Sequence, residues 1–264
     1  YLQAIEEVGH NGFSVIPESG KFRDLAKHVD FIVDELGFDI IMLLPVHPVP
    51  TTYARMGLLG SPYAALDFEN VDPALAEFDK ETTPLEQFSE LIDAVHSRHA
   101  RLFMDIPVNH TGWASQLQVH YPNFFEKTED GKFISPGAWG VTWSDLAKLD
   151  YSKKELWKYM AGVFLFWCSK GVDGFRCDAG YMIPSQAWEY ITSRVRKEYP
   201  SVIFLLEGLG GKISKTETLL THCNLNWAYS EMFQNYSRQQ IEWYMEEFKR
   251  ISLFKGPLLN FSET

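Results

Sequence analysis

Two charged residues interrupt an apolar run at GVDGFRCDAGYMIP, residues 171–184. Arg176 and Asp178 lie two positions apart, and side chains two apart on a strand share a face. Phe175 and Cys177 then share the other face. A permanent cation beside a carboxylate favours the ionised form, and its rigid fork fixes the direction of the oxygens. An oriented, ionised carboxylate suits a nucleophile. A second carboxylate, Glu207, ends the run VIFLL at 202–206. Apolar neighbours should raise its pKa, as a general acid requires. Two carboxylates with pKa values pushed apart are the pattern of an acid paired with a nucleophile. In glycoside chemistry, carboxyl groups about 5–5.5 Å apart would retain configuration. A structural ion pair at a strand end, with Glu207 as a capping carboxylate, uses the same residue types. Other apolar runs also end in polar groups: one brings Asp105, Asn109 and His110, another Glu263.

The elements that must carry these groups read as alternating strands and helices. Strands are expected at 13–17, 39–45, 101–107, 172–178, 202–206, near 225–230 and at 257–261. Helices are expected at 21–36, 83–99, 152–170, 184–198, near 214–222 and at 235–252. In the first of these, Phe22, Leu25, Val29, Ile32, Val33 and Leu36 follow a helical period, and Gly37 is a suitable stop. Thr83 is suited to cap the second, with Pro84 in its first turn. Continuous apolar strands such as DIIMLLP suit a sheet buried on both faces. The alternation implies a parallel sheet. The fold class expected is α/β, a (β/α)8 barrel of the TIM type. It has about seven βα units and is incomplete at the C-terminus, since closure needs eight. In such barrels the chemistry sits at the C-terminal strand ends, where the carboxylates fall. Three segments follow: 1–110 as the first part of the barrel, 111–150 as an insertion, and 151–264 as its continuation. The insertion is rich in Trp, Tyr, Phe, Pro and Gly, with a turn at EDGK, 129–132. A long segment of this kind is usually functional or a small subdomain.

Bulk properties narrow the function further. The net charge of -11 argues against nucleic acid or an anionic membrane as partner. No apolar run approaches the roughly 20 residues that span a bilayer. Cys168, Cys177 and Cys223 show no CxxC spacing, which points to a reducing, cytoplasmic setting. No phosphate loop or dinucleotide fingerprint follows a strand; GLGG at 208–211 reads as a tight turn. His96 and His99 sit three apart on a helix and read as surface residues, which leaves a metal-dependent hydrolase without its ligands. The opening YLQAIEEVGHNG has no Met and reads as the middle of a longer protein.

Three blocks resemble one family. MDIPVNHTG (104–112), DGFRCDAG (173–180) and FLLEGLGG (204–211) are similar to successive blocks of the α-amylase superfamily, glycoside hydrolase family 13. The long segment after the third strand resembles that family's domain B, and WSDLAKLD (143–150) the block near its end. The resemblance covers about residues 13–264. It implies a retaining mechanism on α-glucosidic bonds of an α-glucan or small α-glucoside. Asp178 matches the nucleophile, Glu207 the acid/base and Arg176 the arginine that positions the nucleophile. Asp105 and His110 match residues shaping the subsite for the reacting sugar, and Tyr63 in GSPYAALDF matches a tyrosine stacking on it. Asn109 and Asp145 match positions that bind calcium in many members; no other cofactor is implied. Tyr181 and Met182 stand where amylases often carry a lysine and a histidine on the acceptor side, which points away from plain starch hydrolysis. Hydrolysis is set just ahead of transfer to a sugar hydroxyl or phosphate. The last block of the family, a His-Asp pair, would follow NFSET, so the 264-residue chain alone is expected to be poorly active. A non-catalytic amylase-like binding domain is the alternative, though such domains usually lose the carboxylates kept here. Oligomeric state is not legible.

Overall fold

A computed structural model of the chain describes residues 20–51, 60–254 and 258–259. The strand expected at 13–17 and Glu263 lie outside the described residues. The helix expected over 21–36 is two pieces. Helix α1 (Phe22–Ala26) is followed by a tight turn and a π-type segment, Phe31–Glu35. The bonds lengthen along it: His28 N–H donates to the Leu25 carbonyl, Ile32 to His28, and Leu36 to Phe31. This change of pitch keeps Val29 buried while Phe31 turns outward. Gly37, at φ 74, closes the segment as expected.

The remaining elements follow in chain order. Strand β1 (Ile40–Leu43) precedes α2 (Pro84–Ser97), which opens on the expected Thr83 cap. Thr83 Oγ1 accepts from the Glu86 N–H, and the Glu86 carboxylate accepts from the Thr83 N–H, a reciprocal capping box. The helix ends at Ser97, so His99 is a left-handed residue beyond it, at φ 59. Strand β2 (Arg101–Pro107) leads into β3 (His110–Gly112), α3 (Gln116–His120), β4 (Gly137–Ala138), β5 (Val141–Thr142) and β6 (Leu146–Lys148). Then come α4 (Lys154–Ser169), β7 (Gly174–Asp178), α5 (Ser185–Arg196), β8 (Ile203–Leu206) and α6 (Ile213–Thr221). Strand β9 (Trp227–Tyr229), α7 (Arg238–Phe254) and β10 (Leu258–Leu259) complete the described chain. Six strands form one sheet in the order β1-β2-β7-β8-β9-β10, every pair of them parallel. Seven βα units were expected; the described residues show these six strands.

Alternation sorts the strand residues between two sides. Phe175 and Phe204 face the helices, with Phe164 of α4 at 4.9 and 5.3 Å between ring centres and Trp188 of α5 at 6.4 Å from Phe204. Leu102, Met104, Ile106, Cys177 and Leu206 fill the same buried layer. Buried tryptophans keep their N–H groups bonded: Trp167 donates to the Phe68 carbonyl and Trp188 to that of Gly180. The opposite face carries Phe103, Asp105, Arg176, Asp178, Trp227 and Tyr229.

That face curls on itself. A flat sheet would set β1 and β9 roughly 19 Å apart, at about 4.8 Å per strand. Instead the Tyr229 hydroxyl lies 3.9 Å from Met42 Sδ, and the rings of Phe103 and Trp227 stack at 5.9 Å. Gly174 makes room for this stack, because a Cβ there would lie 2.6 Å from the Phe103 ring. The insertion holds two small antiparallel sheets, β3 with β6 and β4 with β5. Its EDGK turn forms with Gly131 at φ 81. Among the described residues no helix is long and apolar enough to cross a membrane.

Gly174→Ala is expected to lower unfolding stability by about 1–3 kcal/mol through overpacking against Phe103. The midpoint of chemical denaturation measures it; a variant as stable as the parent would show that Phe103 leaves Trp227 freely.

Candidate active site

The parallel register of β2 and β7 sets Asp105 opposite Arg176. Arg176 Nη1 donates to Asp105 Oδ2 at 2.6 Å and to Asp178 Oδ1 at 2.8 Å. Tyr63 joins them, its hydroxyl donating to Asp105 Oδ2 at 3.1 Å. The guanidinium carbon lies 5.8 Å from the Tyr63 ring centre and 6.0 Å from that of Tyr229, so two aromatic rings flank the cation. Asp105 is buried, and the Arg176 and Asp178 side chains are only 14% and 16% exposed. Two carboxylates share one guanidinium, which leaves a net negative charge in a place poor in water. Burial accordingly pushes the Asp105 carboxyl up to about 7, against the pull of Arg176. Asp105 Oδ1 has no hydrogen-bond partner among the described residues.

Glu207 follows the last residue of β8 and is 7% exposed. Its N–H donates to the Cys177 carbonyl, and its Oε2 accepts from the Ala179 N–H at 2.8 Å. Its Oε1 accepts from the Leu209 N–H at 3.0 Å. Burial raises its pKa; Arg176 opposes the rise, the Asp178 charge adds to it, and the two backbone bonds oppose it. The direction is the one read from its apolar neighbours. Ala179 is left-handed at φ 50, directly after Asp178. Such a conformation costs a residue with a Cβ about 1–2 kcal/mol. The glycine beside it, Gly180, serves packing instead, since a Cβ there would lie 2.8 Å from Leu206 Cδ1.

His110 is buried, which lowers its pKa and favours the neutral ring. Its Nε2 lies 3.9 Å from Asp178 Oδ2, and its ring meets Trp143 edge-on at 5.9 Å. Asn109 is buried and donates its amide N–H to Met182 Sδ at 3.2 Å. Asp145 is half-buried, close enough for its charge to act on His110. Asn109 and Asp145 carry three side-chain oxygens between them, against the six to eight oxygen ligands that calcium takes. Among the described residues no three His, Cys, Asp or Glu side chains gather as a metal site. The two side chains by themselves do not complete a calcium site. Tyr181 is half-buried, its ring against Gly211. His96 lies away from this face and bonds Asp173 at 2.8 Å.

Aromatic residues of the insertion separate by role. Phe124 and Phe125 are core, and Tyr121 stacks on Phe124 at 5.0 Å. Trp113 packs on Phe133 and donates to the Ser144 carbonyl. Trp143 backs His110, and Trp139 is exposed. The structure thus gathers Tyr63, Asp105, His110, Arg176, Asp178 and Glu207 around one strand-end region. Tyr229 belongs there too, although no motif singled it out. Its signal was alternation in WAY, which puts Trp227 and Tyr229 on one face and Ala228 on the other.

The family model for the α-amylase catalytic domain matches residues 10–250. An α-1,4-glucan:maltose-1-phosphate maltosyltransferase of Picrophilus torridus is 26% identical over 246 residues, 86% of this chain and 38% of the relative. The enzyme of that name from Myxococcus xanthus is 27% identical over 213 residues, 74% of this chain and 32% of the relative. Among solved structures, an α-amylase from Lactobacillus plantarum superposes with a TM-score of 0.73 at 28% identity, covering 91% of this chain and 58% of that one. A maltogenic α-amylase from Thermotoga neapolitana shares the fold, with a TM-score of 0.72 at 22% identity, over 90% of this chain and 53% of that one. The chain spans about a third of the length of these curated relatives and just over half that of the solved structures.

Removing the shared cation tests the charge arrangement. Arg176→Met takes the shared cation from Asp105 and Asp178, and should cost about 3–5 kcal/mol at a pH above 7, where the parent's Asp105 is ionised. Losing the cation raises the folded pKa of Asp105 further above its unfolded value. The parent's Asp105 is held up to about 7, so the deficit relative to the parent must grow as pH rises through about 7 and shrink below it, where Asp105 is protonated in both proteins. Denaturation midpoints across that range measure it, and a pH-independent deficit would mean that lost packing alone is at work.

Proposed function

The chain belongs to the family of α-amylase catalytic domains, and we propose that it serves a retaining glycosidase or transglycosidase acting on α-glucosidic bonds. The observation that carries this reading is the pairing of an arginine-held carboxylate, Asp178, with a buried carboxylate of raised pKa, Glu207. One backbone N–H, that of Ala179, joins the two.

In the first step the Asp178 carboxylate attacks the anomeric carbon while the bond to the leaving oxygen breaks. Glu207 gives that oxygen its proton. In the second step Glu207, now ionised, takes a proton from the acceptor hydroxyl. The acceptor oxygen displaces Asp178 from the anomeric carbon, and two inversions restore the α configuration. Arg176 holds Asp178 in line and balances its charge. Tyr63 and Tyr229 keep the guanidinium from turning away. Asp105 Oδ1 is a buried acceptor, and a hydroxyl of the reacting sugar would satisfy it. Neutral His110 offers a ring N–H to the same sugar. The two backbone bonds to Glu207 use one lone pair on each oxygen and leave room for the catalytic proton.

The substrate read for the site is an α-glucan or small α-glucoside. The maltosyltransferase relatives are named for an α-1,4-glucan, and the solved structures are named as amylases. Water as acceptor gives hydrolysis and a sugar hydroxyl gives transfer, by the same two steps. Residues 111–150 serve as the family's domain B, walling the site with His110 and Trp143. The free, buried cysteines accord with a reducing compartment such as the cytoplasm.

Two measurements on the intact protein test this. Product NMR should show the α anomer first, and a β product would overturn the double displacement. Glu207→Gln should lower kcat/KM on a maltooligosaccharide by about 10²–10⁴-fold. Because the acid must be protonated, activity is present below the raised pKa of Glu207 and lost above it. The alkaline limb should therefore lie above the ordinary glutamate range and vanish in Glu207→Gln. Rates within a few-fold of the parent would remove Glu207 from its role.

A further inference from the structure

Trp139 is out of place for a residue that serves only the fold. Its side chain is 73% exposed, against 46% for Tyr121. It occupies the two-residue turn between β4 and β5, where Trp139 has φ 51 and Gly140 φ 77. Such a turn asks for Asn, Asp or Gly, so the indole adds nothing that the hairpin needs. A single exposed aromatic is ordinary on a protein surface, and Phe78 and Tyr236 are more exposed still; what sets Trp139 apart is where its ring lies.

The ring has a defined place. It leans over Gly210, where a Cβ would lie 2.4 Å from Trp139 Nε1 and 2.6 Å from its Cζ2. Gly210 follows Leu209, whose N–H is bonded to Glu207 Oε1. It is the third residue of a turn closed by the Gly211 N–H on the Gly208 carbonyl, and its φ is 79. Its own N–H is fastened to Glu231 Oε1 at 2.5 Å. The neighbouring Gly211 abuts Tyr181 in the same way, with a Cβ there lying 3.2 Å from Tyr181 Cδ2. The loop that orients Glu207 is thus bare backbone with an aromatic ring against each of its last two glycines. One ring comes from the insertion and one from the segment after Asp178. The loop is pinned at both ends, so the rings keep their position relative to the acid.

We propose that Trp139 is a platform on which a glucosyl ring of the leaving or accepting glucan stacks, on the Glu207 side of the site. The proposal rests on the glycosidase reading above and adds the acceptor's chemistry to it. An apolar sugar face gains from an exposed indole, whereas water or free phosphate gains nothing. The residue therefore favours transfer to, and departure of, a saccharide.

The test uses the intact protein with α-maltosyl fluoride as donor and maltotriose as acceptor. Trp139→Asn suits the left-handed turn and preserves the hairpin. It should raise the half-saturating maltotriose concentration by about tenfold and lower the ratio of transfer to hydrolysis. Trp139→Phe should restore most of both. Half-saturation within about twofold of the parent for a folded Trp139→Asn variant would overturn the proposal. A measurement without any variant guards against misfolding. Maltotriose should protect Trp139 of the parent from N-bromosuccinimide oxidation, mapped by peptide mass, and leave Trp243 on α7 unprotected. Equal oxidation of Trp139 with and without maltotriose would also overturn it. Absence of fluoride release by the parent would instead remove the glycosidase reading, and the protection experiment would then decide the platform alone.

Discussion

A guanidinium gripped by two carboxylates, inside a sheet of otherwise apolar strands, makes demands on everything around it. Charges taken out of water must be paired with good geometry, or they cost more than the sheet can supply. Here the pairing is possible in a single register, with Asp105 opposite Arg176 on adjacent parallel strands. A slip of β7 by one residue would turn Arg176 and Asp178 together toward Phe164 and Trp188 and leave Asp105 bare. The apolar layer against α4 and α5 therefore locks the polar layer on the other face.

The curl of the sheet follows from the same face. Phe103 reaches Trp227 across two intervening strands because Gly174, opposite Phe103, leaves room for its ring. Carrying Tyr229 inward with Trp227, that contact sets the second aromatic wall of the arginine. The two tyrosines reach it from opposite directions: Tyr63 from a loop early in the chain, Tyr229 from a strand late in it.

Much of this was legible. Arg176 and Asp178 on one face, Phe175 and Cys177 on the other, followed from alternation alone, and the raised pKa of Glu207 from the apolar run before it. Thr83 announced the start of α2 through a side chain that bonds locally. The contacts that escaped are those between residues far apart in sequence. Alternation in WAY puts Tyr229 on the inner face, but its partner Arg176 appears only once the sheet bends. Tyr63 was placed by resemblance, since nothing in its spacing pointed to Asp105. The break in the helix over 21–36 was hidden because its apolar period is intact; the change in bonding shows only in the backbone. The left-handed residue after Asp178 was equally hidden, because Ala179 adopts a conformation that its neighbour Gly180 would take more easily.

The bond from the Ala179 N–H to Glu207 Oε2 has an outcome of its own. An amide proton shared with a carboxylate feels whether that carboxylate is charged, and it lengthens or tightens its bond accordingly. The Ala179 amide is thus a spectator built into the chain. In a ¹⁵N-labelled sample its resonance would track the charge on the acid through a titration, with no dye, no substrate and no change to the protein.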